Sequence, residues 1–251
     1  MTHPSPTAAV LIIGDEILSG RTADTNLNII ARFLCALGID LLEARTVGDR
    51  PGQIVEALNA LRTRHDYVFT TGGIGPTHDD ITADCVAEAF GMGIGERADA
   101  LAILERRYGD ELNVARRRMA RIPEGGVLIS NPVTDAPGFQ IGNVFVMAGV
   151  PRIMTAMLED VAPRLRTGAI VHARTLRVIG VGEGAIAAPL AEAAKANPDL
   201  NLGSYPFGAG SDGEIGTNLV VRGRDAAKVE VVVAMLTAVL GAAGISTVLM
   251  P

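Results

Sequence analysis

The chain has 251 residues, 48% of them hydrophobic and 20% charged, enough to bury a real core in one large or two modest domains. A formal net charge of −6 and a pI near 5.3 exclude a general electrostatic attraction to nucleic acid or anionic membrane. No apolar run reaches the length of a membrane span, and no apolar leader follows the polar Met1–Thr7 stretch, so a cytoplasmic protein is expected. In chain order, Ala8–Ile13 is a continuous apolar run that predicts a central parallel strand, followed by the acids Asp15 and Glu16 and by Ser19. Asp24-Thr25-Asn26 suits the start of a helix with Leu27, Ile30, Ala31 and Leu34 on one face, ending near Gly38. Ile39–Val47 predicts the next strand, with Asp49 just beyond it, and Pro51 and Gly52 open a helix through Leu61. Cys35 and Cys85 fall in helix-like apolar patterns without paired metal-ligand spacing, which predicts buried free thiols in a reducing compartment.

A third strand, Asp66–Thr70, feeds the stretch around which the chain is organised, Thr71-Gly72-Gly73-Ile74-Gly75-Pro76-Thr77-His78-Asp79-Asp80. Glycines let backbone N–H groups approach an anion, and the helix that follows (Ile81, Val86, Ala89, Phe90) adds its own donors and positive end. Asp79 and Asp80 stand where a phosphate would sit, and two carboxylates beside a phosphate call for a divalent cation between them. Either aspartate alone also suits a helix N-cap, and the glycines alone suit a tight turn. Capping needs one Asp and no triple glycine, so the whole string reads as a phosphate site.

Beyond this loop, Ala98–Tyr108 predicts a helix, and Arg116, Arg117, Arg118 and Arg121 follow in a second helix-like stretch, either a solvated face or a reach toward a diphosphate. Val127–Ser130 predicts a strand, Gly138–Met147 a hairpin turning at Gly142-Asn143, and Val150-Pro151 the start of a helix to about Leu165. The pattern resets near Thr167-Gly168. Strands are expected at His172–Ile179, Leu200–Tyr205, Glu214–Val221 and Ile245–Leu249. Helices are expected after Gly180–Gly184, running through Lys195, and at Asp225–Leu240, with a flexible glycine-rich loop at Phe207–Gly213. The expected organisation is therefore an α/β domain with a mostly parallel sheet over residues 1–167 and a small α+β domain over 168–251. In such a sheet Asp15, Glu16, Asp49, Asp79 and Asp80 all fall at the carboxyl rim, where ligands bind.

The strings Val10–Gly20, Asp24-Thr25-Asn26, Val47-Gly48-Asp49, Thr70–Thr82, Asn131-Pro132-Val133, Ala136–Phe139 and Gly149-Val150-Pro151 together cover most of residues 8–165. They resemble the molybdopterin-binding (MoaB/Mog-like) domain family, in particular its CinA (competence/damage-inducible) branch. Gly180–Glu183 and Gly203–Pro206 resemble the accessory domain of that branch, and a chain without that branch's C-terminal amidase domain is expected. The resemblance implies a three-layer α/β/α fold, a homo-oligomer (dimer or trimer), and a nucleotide or molybdopterin-type ligand. It also implies a pyrophosphatase acting on ADP-ribose or a related dinucleotide with a divalent metal such as Mg²⁺, or, in the Mog branch, adenylylation of molybdopterin by acids matching Asp49 and Asp80. A non-catalytic ligand sensor on the same scaffold is the third reading. Where CinA members carry an Asn-Arg-x-Gln-like string, Arg117 matches the arginine, while Arg116 and Met119 stand at its polar positions. Gly184 replaces the serine of the accessory turn, and both departures bear on substrate choice.

Gly72, Gly73 and Gly75 would hold phosphate oxygens, and Asp80 with Asp15 or Glu16 would position the metal. Asp49 would orient the attacking water or a second ion. Ser19 and Thr71 are candidate ribose or phosphate contacts, or satisfy local backbone. Asp79 and Arg117 are expected near the substrate, and Glu183 and Tyr205 are candidates to complete the site from the second domain. His78 reads as a plain loop residue, with no second histidine at useful spacing.

Overall fold

Every residue of strand β1 (Thr7–Ile13) after Thr7 is buried, and burial on both faces is what a central strand of a layered sheet requires. In the computed structural model, which describes residues 5–208 and 215–250, the chain divides into two compact units, Met1–Gly168 and Ala169–Pro251. After β1 the first unit runs through a single helical turn, α1 (Asp15–Leu18), then α2 (Asn26–Ala36), β2 (Asp40–Val47), α3 (Pro51–Arg62), β3 (Tyr67–Thr71) and α4 (Thr82–Phe90). It continues with β4 (Ile94–Glu96), α5 (Ala98–Tyr108), α6 (Val114–Arg117), β5 (Arg121–Pro123), β6 (Val127–Ile129), β7 (Gly138–Ile141), β8 (Val144–Met147) and α7 (Pro151–Val161). Asp24 fastens the start of α2 by accepting the N–H groups of Asn26 and Leu27 at 3.3 and 3.0 Å, and Pro51 and Pro151 occupy first-turn positions where the missing N–H costs nothing.

The main sheet has the order β2-β1-β3-β8-β7-β6. Its first four strands are mutually parallel, and the β7–β8 hairpin turns the far edge antiparallel. Alternation along β1 decides the layers. Ala9, Leu11 and Ile13 pack with Ile54 and Leu58 of α3, Val86 of α4 and Leu104 of α5. Ala8, Val10 and Ile12 pack with Ile30 and Leu34 of α2 and Met154 and Leu158 of α7. The result is a three-layer α/β/α fold. Short strands β4 and β5 pair as a separate antiparallel ribbon, an element the sequence did not announce, as it did not announce α1.

The second unit holds β9 (His172–Ile179), α8 (Glu183–Ala196), β10 (Asn201–Phe207), β11 (Gly216–Gly223), α9 (Ala226–Ala242) and β12 (Thr247–Leu249). Its antiparallel sheet, β10-β11-β9-β12, shares an apolar core with the two helices through Leu176, Val178, Leu219, Ile186 and Val232. Most of the expected glycine-rich loop, and Glu214 with it, lies outside the described residues. Among the described residues no helix is long and apolar enough to cross a membrane. Of the two thiols, Cys85 is buried, and desolvation pushes its pKa up to about 11. Cys35 is exposed, which corrects the expectation of two buried thiols: on α2 it sits one position past buried Leu34, a rotation of roughly 100° away from the core.

Candidate functional site

A cleft of ≈ 590 Å³ lies at the carboxyl ends of β1, β3 and β8. Glu16 and Thr22 line it after β1, Gly72 to Pro76 and Asp80 after β3, and Ala148 to Pro151 after β8. The chain turns to one side of the sheet after β1, to β2, and to the other side after β3, toward β8. Such a reversal leaves a crevice at the strand ends, and this one falls in the size range of small-molecule sites.

The loop after β3 is built differently from the expected open cradle. The Gly72 N–H donates to the Met147 carbonyl at 3.2 Å. Gly72 has φ +103°, and a Cβ on it would fall 2.1 Å from the Ile13 carbonyl oxygen, so glycine there lets strand ends touch backbone to backbone. The Gly75 N–H donates to Asp80 Oδ1 at 2.7 Å, and the Thr77 N–H and hydroxyl donate to Oδ2 at 2.7 and 2.6 Å. The Asp80 carboxylate thus fills part of the amide bed that a phosphate was expected to occupy. Of the three glycine donors expected from sequence, Gly72 and Gly75 are engaged within the fold. The N–H groups of Gly73 and Ile74 have no acceptor among the described residues, and both residues line the cleft. A carboxylate offers about four acceptor positions, so three donors leave Asp80 one.

Thr82 ties the loop to α4, its N–H donating to the Gly73 carbonyl at 3.0 Å and its hydroxyl to the Gly72 carbonyl at 2.9 Å. Arg118 supports the same loop by donating to the Asp80 carbonyl at 3.2 Å. The first turn of α4, through Ala83 and Asp84, faces a chamber of only ≈ 20 Å³ with Arg118 and Arg121. The helix that opens on the cleft is α7, through Val150, Pro151 and Ile153, and it brings the positive end of its dipole there. The Gly149-Val150-Pro151 string was readable as a helix start, but nothing in it marked the helix as part of the site.

The rim acids separate into groups. Glu16 and Asp80 line the cleft. Asp49 instead accepts the Asp15 N–H at 2.9 Å, and Asp15 pairs with Arg50 at 2.9 Å, so these two acids hold the β1 and β2 ends together and are not among the cleft-lining residues. Asp79 is exposed and lies 3.9 Å from His78, away from the cleft lining. Among the described residues no group of three or more His, Cys, Asp or Glu side chains is arranged to hold a metal ion. Of the expected pairing of Asp80 with Asp15 or Glu16, the Glu16 alternative lines the cleft beside Asp80, while Asp15 is turned to Arg50 and Asp80 is clipped by its own loop. Two cleft carboxylates do match what Mg²⁺ takes from protein when substrate phosphates and water fill the rest of its shell.

Other candidates move as well. Thr71 is buried at 1% exposure and Ser19 donates to the Glu16 carbonyl at 3.2 Å, and neither lines the cleft. Arg117 forks onto Glu96 at 2.5 and 3.3 Å, which holds the Glu96 carboxyl below its ordinary range, and it too is absent from the cleft wall. Its neighbours Arg116 and Met119 are there instead, with Tyr108 and Thr134. Glu183 and Tyr205 belong to the second unit, where Glu183 accepts the Ser204 hydroxyl at 2.6 Å and the Tyr205 hydroxyl accepts from Arg222 at 3.3 Å.

Residues 9–167 match the family model described as "Probable molybdopterin binding domain". The chain is also 36% identical to a solved structure, the protein CinA with unknown function from Thermoplasma acidophilum, at a TM-score of 0.60, covering 63% of this chain and 98% of that one. The chain belongs to the molybdopterin-binding domain family, in its CinA-type branch. CinA-like proteins of Gemmatimonas aurantiaca and Desulfovibrio desulfuricans are 37% and 34% identical to it over 81% and 89% of this chain. The chain spans about half of those relatives, 51% and 53% of their lengths. Residues 170–248 match a second model, the middle domain of FAD synthase, a likeness of the second unit alone. For a molybdopterin-binding domain of CinA type, the functional class is a nucleotide- or molybdopterin-related one with a small-molecule ligand, and the cleft is of a size to receive it.

Proposed function

We propose that the cleft binds a nucleotide diphosphate-type compound and that the chain hydrolyses its pyrophosphate bond, ADP-ribose being the first compound to try. The observation that carries this reading is the meeting, in one cleft, of the Gly73 and Ile74 amides, the start of α7, and only two carboxylates, Glu16 and Asp80. Amides and the helix end suit phosphate oxygens. The last acceptor position on Asp80 suits a water, held by its proton and turned toward phosphorus. Asp49 acts at one remove, by holding the Asp15 backbone next to Glu16. A divalent ion shared between the diphosphate and the cleft carboxylates would offset phosphate charge and lower the pKa of a bound water. In the balanced step the oxygen of water bonds to one phosphorus, the bridging oxygen leaves with the other phosphate, and AMP and ribose 5-phosphate are released with two protons. An oligomer and a cytoplasmic setting belong to the same proposal, and the two free thiols support the second.

The family description, a probable molybdopterin binding domain, favours molybdopterin as the ligand, and the resemblance to the Mog branch makes AMP transfer from ATP to it the second reading. Incubation with ADP-ribose, and separately with ATP plus molybdopterin, each with and without Mg²⁺, distinguishes the two. Hydrolysis predicts AMP from ADP-ribose only when Mg²⁺ is present. AMP transferred to the pterin, with ADP-ribose left intact, would replace the hydrolase reading, and binding without turnover of either would leave a sensor.

A further inference from the structure

Beyond the acids and the loop amides, the cleft is lined by Tyr108 at the end of α5, Arg116 on α6, and Met119. The Arg116 guanidinium lies 4.5 Å from the centre of the Tyr108 ring. Nη1 of Arg116 donates to the carbonyl and carboxylate of Glu111 at 2.5 and 3.1 Å. Its backbone is fixed as well, because the Asn113 side chain caps α6 by accepting the Arg116 N–H at 2.9 Å. Arg107 adds a second guanidinium 5.5 Å from the same ring. The side chain of Arg116 is thus held between Tyr108 and Glu111, with its charge already paired, while 32% of its surface stays exposed. A long arginine set aside for a mobile phosphate would not need this bracing. A preset guanidinium plane backed by an aromatic ring is a surface on which a flat π-system stacks, and a thioether beside it adds favourable sulfur–aromatic contact.

We propose that the Tyr108–Arg116–Met119 wall is the ring-binding end of the cleft, taking a planar bicyclic heteroaromatic group, a purine or a pterin, while the phosphates lie at Gly73 and Ile74. The inference rests on the reading of this cleft as the ligand site, and it makes Arg116 a specificity-determining residue.

The test is calorimetric titration of the full chain with ADP-ribose as its non-hydrolysable α,β-methylene analogue, with pyrophosphate as methylenediphosphonate, and with neopterin as a phosphate-free pterin, in the presence of Mg²⁺. The variants are Arg116→Ala, Arg116→Lys and, as a control for a nearby surface arginine, Arg117→Ala. Arg116→Ala is expected to weaken ADP-ribose by about tenfold or more, the scale of one lost stacking contact. Arg116→Lys should lose as much, since lysine keeps the charge and lacks the plane. Pyrophosphate should stay within about twofold on every variant, and Arg117→Ala should match the parent chain on every ligand. Neopterin tells the two ring sources apart: if it binds the parent chain and is lost with Arg116→Ala, the wall accepts a pterin, and if only ADP-ribose shows that dependence, the ring is a purine. Equal loss of pyrophosphate and ADP-ribose, rescue by lysine, or no ring-bearing ligand bound by the parent chain would overturn the proposal. Arg116-dependent binding without AMP release would sink the hydrolase reading and leave the ring site standing. Hydrolysis unaffected by Arg116→Ala would do the reverse.

Discussion

Asp80→Asn is expected to cut ADP-ribose hydrolysis by about 10²–10⁴-fold, the usual weight of a positioned general base, and to loosen the loop that carries it. The carboxylate accepts three hydrogen bonds from Gly75 and Thr77. An asparagine can keep the acceptor on one side only, and its NH₂ group must then face a donor on the other. A charged acceptor replaced in this way costs about 1–3 kcal/mol, and for a domain of this size each kcal/mol lowers the melting temperature by roughly 2–4 °C. The double effect separates the roles of the two aspartates. Asp79→Asn, one residue earlier and exposed outside the cleft lining, should change neither quantity by a measurable amount. Loss of stability with full activity in Asp80→Asn would reduce Asp80 to a loop clip.

Gly72→Ala is expected to lose roughly 3–5 kcal/mol of stability by urea unfolding, from strained φ and overpacking together. The new Cβ would meet the Ile13 carbonyl oxygen at 2.1 Å, and its nearest neighbours are all Ile13 backbone atoms, so no flexible side chain can give way. Gly52→Ala in α3 is the matched control: a Cβ there meets nothing within 4 Å, and alanine in place of helical glycine stabilises by up to about 1 kcal/mol. If both variants unfold alike, the contact between the β1, β3 and β8 ends is not what holds the cleft open.

Much of the scaffold was legible because its signals are local. A six-residue buried run marks β1, Gly142-Asn143 turns the β7–β8 hairpin, and a proline begins α7. The site was legible only as a region. Glycines announce where backbone amides gather, but not that Gly72 spends its N–H on Met147 and Gly75 on Asp80. Acids at strand ends announce a rim, but whether Asp15 turns to Arg50 or to a ligand depends on side-chain partners drawn from another strand end. Arg116 and Arg117 are adjacent in a four-residue helix, and a rotation of about 100° per residue sends one to the cleft and the other to Glu96. The β4–β5 ribbon pairs three-residue strands distant in the chain, too short to carry an alternation signal.

The most direct measurement is a crystal structure with the non-hydrolysable α,β-methylene analogue of ADP-ribose and Mg²⁺. The account predicts the bridged phosphates against the Gly73 and Ile74 amides at the start of α7, within reach of Asp80. Phosphates bound at Asp15, Asp49 and Arg50, or anywhere else on the chain with the cleft left empty, would contradict it.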